Sequence, residues 1–351
     1  MSNMYGLPQV YIGGKEITNF SSIKIGEGGG TSINQCGITI SDPETDENKL
    51  YNEEVVVYLN HGSPDSVPFF RGFIRQVNPT TKQLSITAYD PRTFLTGKES
   101  TPLSITDKNN YDGYTLVQFM HDYISSNVNI NKTLIGLDML NETDPPIILK
   151  GKRAQTAPYS FITGNIPASG KDINNVASFS IKMVDDGVKS NIVIVRERDI
   201  SDTLATSTFS FFDGIEKLSF KRRPPPQFFN ITTETQKNIS FKRGNMPLGP
   251  FGQALKGKFK DTEEAIQAAV IQSELDDREV TEVNTTVTKH FYIGLGAVVH
   301  LNVDESELRG NHRVKSKSVG WGQSKGYTCS LILNKITPTI QDYLSPASPS
   351  S

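Results

Sequence analysis

The chain has 351 residues, of which 36% are hydrophobic and 21% charged, and its 36 basic and 38 acidic side chains give a formal charge of -2. This length exceeds a single ordinary core and predicts roughly two to four domains of a soluble folded protein. The balanced charge disfavours binding to a nucleic-acid duplex through counterion release, which requires an excess of basic side chains.

The two cysteines, Cys36 and Cys329, lie far apart without the spacing of metal ligands. We therefore expect buried thiols in a reducing compartment. The first residues lack the basic and apolar regions of a secretory signal. No apolar run approaches the roughly 20 residues of a membrane helix, so no membrane partner is expected.

Residues 8–97 show the alternation of apolar and polar side chains that is typical of β-strands. Turn residues separate several short runs, which predicts a small antiparallel barrel or sandwich over residues 1–97. The last run leads into Asp90 and Pro91. An aspartate cap followed by proline at the first helical position predicts a short helix there.

Residues 98–206 are predicted to form an inserted α/β segment. Thr115 and Gln118 have the spacing of a capping box, which indicates the start of a helix ending near Asn127. Apolar side chains recur at helical spacing at Leu116, Met120, Tyr123 and Ile124. Two strands are predicted further on, at residues 179–183 and 191–195.

Residues 207–240 and 285–335 return to a strand-like pattern, and we expect them to form a second small barrel that is split in sequence. The insert between them, residues 241–284, has a capping box at residues 261–264. The helix that follows places Ile266, Ala269, Val270 and Ser273 on one face. Residues 336–351 are rich in proline and serine and predict an extended C-terminal tail.

A strand-loop-strand pattern occurs twice. The first copy reads Val55-Val56-Val57-Tyr58-Leu59-Asn60 and then Arg71-Gly72-Phe73-Ile74-Arg75; the second reads Ala297-Val298-Val299-His300-Leu301-Asn302 and then Arg309-Gly310-Asn311-His312-Arg313. The offset is 242 residues before the loop and 238 after it, which predicts a four-residue difference in loop length. In the split second barrel, Asp213-Gly214 to Phe220 would occupy the place that Gly13-Gly14 to Phe20 has in the first. Two similar units in one chain favour assembly over catalysis, because few copies then present many similar surfaces.

The arginines of the repeat lie four residues apart and share one face of each strand, and the glycines allow a bulge or a close backbone approach. Two interpretations stay open: a contact that both barrels make with neighbouring subunits, or a solvated strand face beside a turn glycine. Under the first, the candidate interface residues are Arg71, Gly72, Arg75, Arg309, Gly310 and Arg313.

No catalytic, metal or cofactor site is predicted. The histidines His61, His121, His290, His300 and His312 have neither paired ligand spacing nor a neighbouring nucleophile motif. The adjacent carboxylates are Glu53-Glu54, Asp185-Asp186 and Asp276-Asp277. Such neighbours point to opposite faces of a strand or lie in solvated turns. We therefore expect a protein that is not an enzyme and binds no cofactor.

The C-terminal half has a series of motifs in order: a helix over residues 263–275, Leu295-Gly296-Ala297-Val298-Val299, Leu308-Arg309-Gly310-Asn311-His312-Arg313-Val314, and an alternating strand over residues 327–333. This series resembles the hub proteins of contractile phage baseplates, including the late control protein D group, and their relatives in type VI secretion spikes. Residues 84–95 also look like part of the first hub barrel. The resemblance covers both barrels, about half of the chain.

The resemblance implies a β-rich α+β fold with two similar small antiparallel β-barrels and inserted α/β segments. It implies a homotrimer that adapts a sixfold tail tube to a threefold central spike, with residues 98–206 forming a cup around the spike. Its partners would be the tail tube protein, a separate central spike protein and the tape measure protein. Genome DNA would pass through the channel without sequence-specific binding. The location would be the tail baseplate of the virion, after assembly in the host cytoplasm.

Three other functions remain open. Another tail component, such as a distal tail or tube-initiating protein, would need only one barrel, so the doubled pattern disfavours it. A cell-wall glycan hydrolase on a β scaffold would rely on carboxylates such as Glu53, Glu54, Asp185 and Asp186. A carbohydrate-binding module is disfavoured by the single tryptophan, Trp321, because sugar platforms usually use several aromatic faces.

Overall fold

We describe the fold from a computed structural model of the chain. The described residues are 6–28, 32–41, 49–59, 67–96, 111–126, 135–143, 146–149, 158–159, 162, 179–196, 207–210, 214–222, 227–233, 238–242, 252–255, 259, 261–263, 265–266, 269–270, 281–288, 291, 293–304 and 308–335. The predicted C-terminal tail, residues 336–351, lies outside them.

The chain divides into two compact units. The first contains Met1–Ser169, Phe179–Arg196 and Ser318–Cys329, and the second contains Gly170–Ser178, Glu197–Lys317 and Ser330–Ser351. Neither unit is continuous in sequence, so each is described by itself.

The first unit is built on an antiparallel sheet. Its strands are β1 (Gln9–Ile12), β2 (Lys15–Ile17), β3 (Phe20–Gly28), β4 (Gln35–Ser41), β5 (Glu54–Tyr58), β6 (Phe70–Pro79) and β7 (Gln83–Tyr89). They are ordered β3-β4-β7-β6-β5-β1-β2. The apolar side chains that alternate in the sequence, such as Ile23, Cys36 and Ile86, are buried. The strands predicted for residues 8–97 are therefore confirmed.

A short 3₁₀ helix, Pro91–Leu95, follows β7 at the predicted place. Its Asp90 cap accepts a hydrogen bond from the backbone N–H of Arg92 at 3.0 Å. The Arg92 side chain is also buried and donates to Asp90 Oδ2 at 2.5 Å. Burial opposes the charge of Arg92, but the Asp90 carboxylate outweighs it and the pKa of Arg92 is raised.

Helix α1 (Leu116–Ser126) begins with the predicted capping box. The backbone N–H of Thr115 donates to Gln118 Oε1 at 3.0 Å, and the backbone N–H of Gln118 donates to Thr115 Oγ1 at 3.1 Å. The predicted core face is buried: Leu116, Met120, Tyr123 and Ile124. The predicted helix is confirmed to within one residue of its end.

The hairpin of β8 (Phe179–Asp185) and β9 (Ser190–Arg196) also belongs to the first unit. The two predicted strands are confirmed and pair antiparallel. Arg92 Nη1 donates to the carbonyl oxygen of Ile181. The buried Arg92–Asp90 pair therefore attaches the hairpin to the sheet that carries the 3₁₀ helix.

The second unit contains β10 (Ser207–Phe209), β11 (Ile215–Arg222), β15 (Thr281–Val287), β16 (Val298–Leu301), most of β17 (Gly310–Gly322) and part of β18 (Gly326–Lys335). Their order is β11-β15-β18-β17, with β16 beside β17 and β10 beside β16. The tip of the β17–β18 hairpin, Ser318–Cys329, belongs to the first unit.

A separate three-stranded sheet lies in the second unit: β12 (Phe228–Thr232), β13 (Asn238–Lys242) and β14 (Gly252–Leu255). Phe229, Ile231 and Phe259 share its core with Ala265 and Ala269 of the predicted helix. The described residues of that helix, 262–263, 265–266 and 269–270, are helical. The predicted domain boundary at residue 240 falls within β13.

The main sheets of the two units have one topology. In chain order, β1, β3, β4, β5, β6 and β7 correspond to β10, β11, β15, β16, β17 and β18, and each member occupies the same place in its sheet. One difference is that β1 pairs antiparallel with β5, whereas β10 pairs parallel with β16. The β-rich fold with two similar units is confirmed. The predicted closure into barrels is wrong for the described strands, since no pairing joins β3 to β1 or β11 to β10.

Candidate assembly interface

The repeated hairpins correspond in a different register from the predicted one. Val56 lies opposite Arg71 in β5–β6, and Val298 lies opposite Arg313 in β16–β17. Both strands therefore have an offset of 242 residues. The predicted four-residue difference in loop length is wrong. It depended on matching the two Arg-Gly dipeptides, and these do not occupy equivalent positions in the paired strands. Arg313, not Arg309, occupies the place of Arg71.

The first strands of the two sheets share a β-bulge. The bulge lies between Phe20 and Ser22 in β3 and between Ile215 and Lys217 in β11. When the two bulges are aligned, Phe220 takes the position of Ile25. The sequence comparison had instead predicted that it takes the position of Phe20. A shared bulge is a specific feature of the backbone, so it supports a common origin for the two sheets.

Arg71 connects the sheet of the first unit to the β8–β9 hairpin. Its Nε donates to Asp185 Oδ2 at 2.6 Å, its Nη1 to Glu54 Oε1 at 3.0 Å, and its Nη2 to the carbonyl of Gly187 at 3.3 Å. Burial opposes its charge, but the bonds to Asp185 and Glu54 prevail and raise the pKa of Arg71. The side chain is 10% exposed, so its main contacts are internal.

The other three arginines have different environments. Arg75 Nη1 donates to Asn52 Oδ1 at 2.5 Å, and its guanidinium lies 4.7 Å from the centre of the Phe94 ring. Arg309 Nε donates to the carbonyl of Val303 at 3.0 Å, and Arg313 Nη1 to the carbonyl of Gly296 at 2.9 Å. Each arginine thus has a partner within its own unit.

The two glycines are required for different reasons. A Cβ atom on Gly72 would lie 2.4 Å from the carbonyl oxygen of Tyr89, so the close packing of β6 on β7 excludes a side chain. Gly310 has open space around it but a φ of +124°, which favours glycine. Neither property indicates a subunit contact, and the interface role of these six residues stays a prediction.

The turn between β8 and β9 uses both of its carboxylates. Asp185 binds Arg71, while Asp186 Oδ1 accepts the backbone N–H groups of Lys189 at 2.8 Å and Val188 at 2.9 Å. The bonds from Lys189, Val188 and Asn191 lower the pKa of Asp186 to about 2. The resulting contribution to stability is present above the ordinary carboxyl pKa and disappears as the pH falls towards 2.

The described histidines have ordinary structural roles. His300 Nδ1 lies 2.8 Å from Asn311 Oδ1, and the buried His312 has Nε2 2.7 Å from the carbonyl of Leu308. His121 is exposed on α1, and His61 and His290 lie outside the described residues. Within the described ranges no three His, Cys, Asp or Glu side chains are grouped as metal ligands.

Both cysteines are buried thiols, and burial raises the pKa of the Cys36 thiol. In the part of the chain that the structure describes, no helix has the length and apolar character needed to cross a membrane.

One strand carries exposed apolar side chains that the sequence pattern did not predict to be exposed. Phe220 of β11 is 49% exposed and Leu218 is half-buried, although both belong to a regular apolar alternation. Sequence periodicity identifies the apolar face of a strand but not whether another strand covers it. No signal in the sequence would have shown that the apolar face of β11 is exposed while that of β3 is buried.

No protein-family model matches the sequence, and no curated protein matches it. Solved structures do match. A tail protein from Neisseria meningitidis MC58 superposes with a TM-score of 0.66 at 16% identity over 93% of this chain and 96% of that one. The 43 kDa tail protein of prophage MuSo2 from Shewanella oneidensis gives 0.63 at 11% identity over 93% and 96%.

An Escherichia coli component of the type VI secretion system has a TM-score of 0.61 at 9% identity over 93% of this chain and 77% of that one. That protein is described as similar in structure to the phage T4 tail proteins gp27 and gp5. This chain therefore has the fold of these phage tail and type VI secretion proteins. The resemblance seen in the sequence motifs is confirmed at the level of the fold.

Proposed function

We propose that this chain is the structural hub of a contractile phage baseplate. In this proposal it is a homotrimer that joins a sixfold tail tube to a threefold central spike, and it leaves a channel for the genome. It acts in the virion tail after assembly in the host cytoplasm. Its partners are the tail tube, central spike and tape measure proteins.

One observation carries the proposal: the same order of six strands occurs twice in one chain. Three copies of such a chain contain six similar sheets, and this number matches a sixfold ring while the chain itself keeps threefold symmetry. A distal tail or tube-initiating protein that forms a sixfold ring needs one such sheet per chain. The duplication therefore favours the hub.

We further propose that the protein is not an enzyme. A glycan hydrolase would need two carboxylates facing a substrate. Asp185 and Glu54 instead bind Arg71, and Asp186 accepts backbone N–H groups in its own turn. Three of the four carboxylates that made the hydrolase a candidate, Glu54, Asp185 and Asp186, thus have structural partners.

The proposal is tested by measuring the mass of the purified chain by light scattering, alone and mixed with the tube and spike proteins. The expected result is three copies per particle in at least the mixed sample. A chain that stays monomeric beside both partners contradicts the hub function, and so does a complex with six copies.

A further inference from the structure

The turn between β8 and β9 contains a dipeptide that is prone to spontaneous rearrangement. Asp186 is exposed and is followed directly by Gly187. In such a pair, the backbone nitrogen of the second residue can attack the aspartate side chain, and glycine has no Cβ atom to obstruct the approach. The dipeptide is therefore a candidate site of covalent modification.

The reaction needs no reactant other than water. The Gly187 nitrogen forms a bond to Cγ of Asp186, while the amide proton and the side-chain hydroxyl leave as water, and a cyclic succinimide results. Water then breaks one of the two C–N bonds of the ring. Cleavage at Cγ restores aspartate. Cleavage at the original backbone carbonyl gives isoaspartate, in which the chain runs through Cβ and Cγ and is one atom longer.

The carboxylate of Asp186 is held by three hydrogen bonds in the folded turn. Oδ1 accepts the backbone N–H groups of Val188 at 2.9 Å and Lys189 at 2.8 Å, and Oδ2 accepts Nδ2 of Asn191 at 2.8 Å. Attack by Gly187 removes the charge of the carboxylate and weakens all three bonds. The same bonds lower the pKa of Asp186 to about 2, although the hydroxyl leaves as water only from the protonated acid.

The reacting nitrogen of Gly187 is engaged as well. Its N–H donates to Asp185 Oδ1 at 2.8 Å, and its carbonyl accepts Arg71 Nη2 at 3.3 Å. Asp185 is held in turn by Arg71 Nε at 2.6 Å and by Ser190 Oγ at 3.0 Å. The attack removes the proton from this nitrogen, so the bond to Asp185 must be lost. The ion pair with Arg71 would also be lost if Asp185 took up that proton.

We propose that Asp186-Gly187 is a latent site of succinimide modification, and that the hydrogen bonds centred on Arg71 keep it inactive in the folded turn. Release of the turn allows the reaction. The isoaspartate then moves the carboxylate away from the donors of Val188 and Lys189, so the change persists after the turn closes again. The chemistry does not depend on the proposed hub function.

The first test compares the folded full-length chain with the same chain unfolded in concentrated urea. Both samples are incubated at neutral pH in heavy-oxygen water, because each opening of the succinimide adds one oxygen atom from the solvent. Peptide mapping with electron-transfer fragmentation measures the label and the isoaspartate at Asp186. We expect the folded chain to react at least about tenfold more slowly, since reaction requires local opening of the turn. Equal rates overturn the proposal.

The second test assigns the protection to Arg71. Arg71→Met removes the bonds to Asp185 and to the carbonyl of Gly187, and it is expected to accelerate labelling at Asp186 by about tenfold. Arg75→Met is the matched control and is expected to leave the rate unchanged. An unchanged rate in Arg71→Met overturns the role of Arg71.

A second Asp-Gly pair, Asp112-Gly113, is a reference within every sample. The N–H of Gly113 donates to the carbonyl of Leu149 at 3.0 Å, away from the bonds that Arg71 makes to the turn. Labelling at Asp112 is expected to be the same in Arg71→Met and in the unaltered chain. Equal acceleration at both pairs would show that the variant loses its fold, and the rate in the folded unaltered chain then decides the proposal by itself.

Discussion

Two ion pairs of the first unit, Arg92–Asp90 and Lys189–Asp138, have different surroundings. Arg92 is 1% exposed and binds Asp90, which also accepts the backbone N–H of Asn34 at 2.7 Å. Lys189, by comparison, pairs with Asp138 at the surface at 2.5 Å, where the aspartate is 74% exposed. Removing one partner of a buried pair leaves an uncompensated charge, whereas an exposed partner is solvated by water.

Arg92→Met is therefore expected to lower the free energy of unfolding of the first unit by about 3–5 kcal/mol. Lys189→Met is the control, and no measurable change in the free energy of unfolding is expected from this solvated pair. Urea titrations followed by fluorescence measure this unit selectively, because the single tryptophan, Trp321, belongs to it. Equal effects of the two substitutions would contradict a structural role for the buried pair.

At the scale of elements, the sequence correctly predicted the helix starts, because these depend on residues close together in the chain. The capping box of Thr115 and Gln118, and the Asp90-Pro91 helix start, depend only on residues a few positions apart. The strand register of the repeat was mispredicted because identical Arg-Gly pairs do not report which residues lie opposite each other. The β8–β9 hairpin was predicted, but its attachment through Arg71 joins residues 114 positions apart and left no sequence signal.

Arg71→Met is expected to loosen the turn of the β8–β9 hairpin, because Asp185 loses its guanidinium partner. Hydrogen exchange at Gly187, Val188 and Lys189 should accelerate about tenfold, as expected for a loss of about 1.4 kcal/mol of local stability. Arg75→Met is the control, since Arg75 donates to Asn52 and lies over the Phe94 ring, whereas Arg71 binds Asp185 and Gly187 of the hairpin. Unchanged exchange in Arg71→Met would show that the hairpin is held by other contacts.

At the scale of the whole molecule, the sequence predicted two similar units, but the strand-by-strand correspondence between them became visible only in the structure. The motifs around Val57 and Val299 indicated one repeated hairpin, whereas the structure extends the correspondence to six strands in one order. The exposure of Phe220 is a property of the fold that periodicity cannot predict.

The most direct test of the proposed hub function is the rotational symmetry with which copies of this protein assemble, measured by electron cryo-microscopy. The proposal predicts three copies related by threefold symmetry, each contributing two similar sheets. A ring of six identical copies with true sixfold symmetry would contradict it.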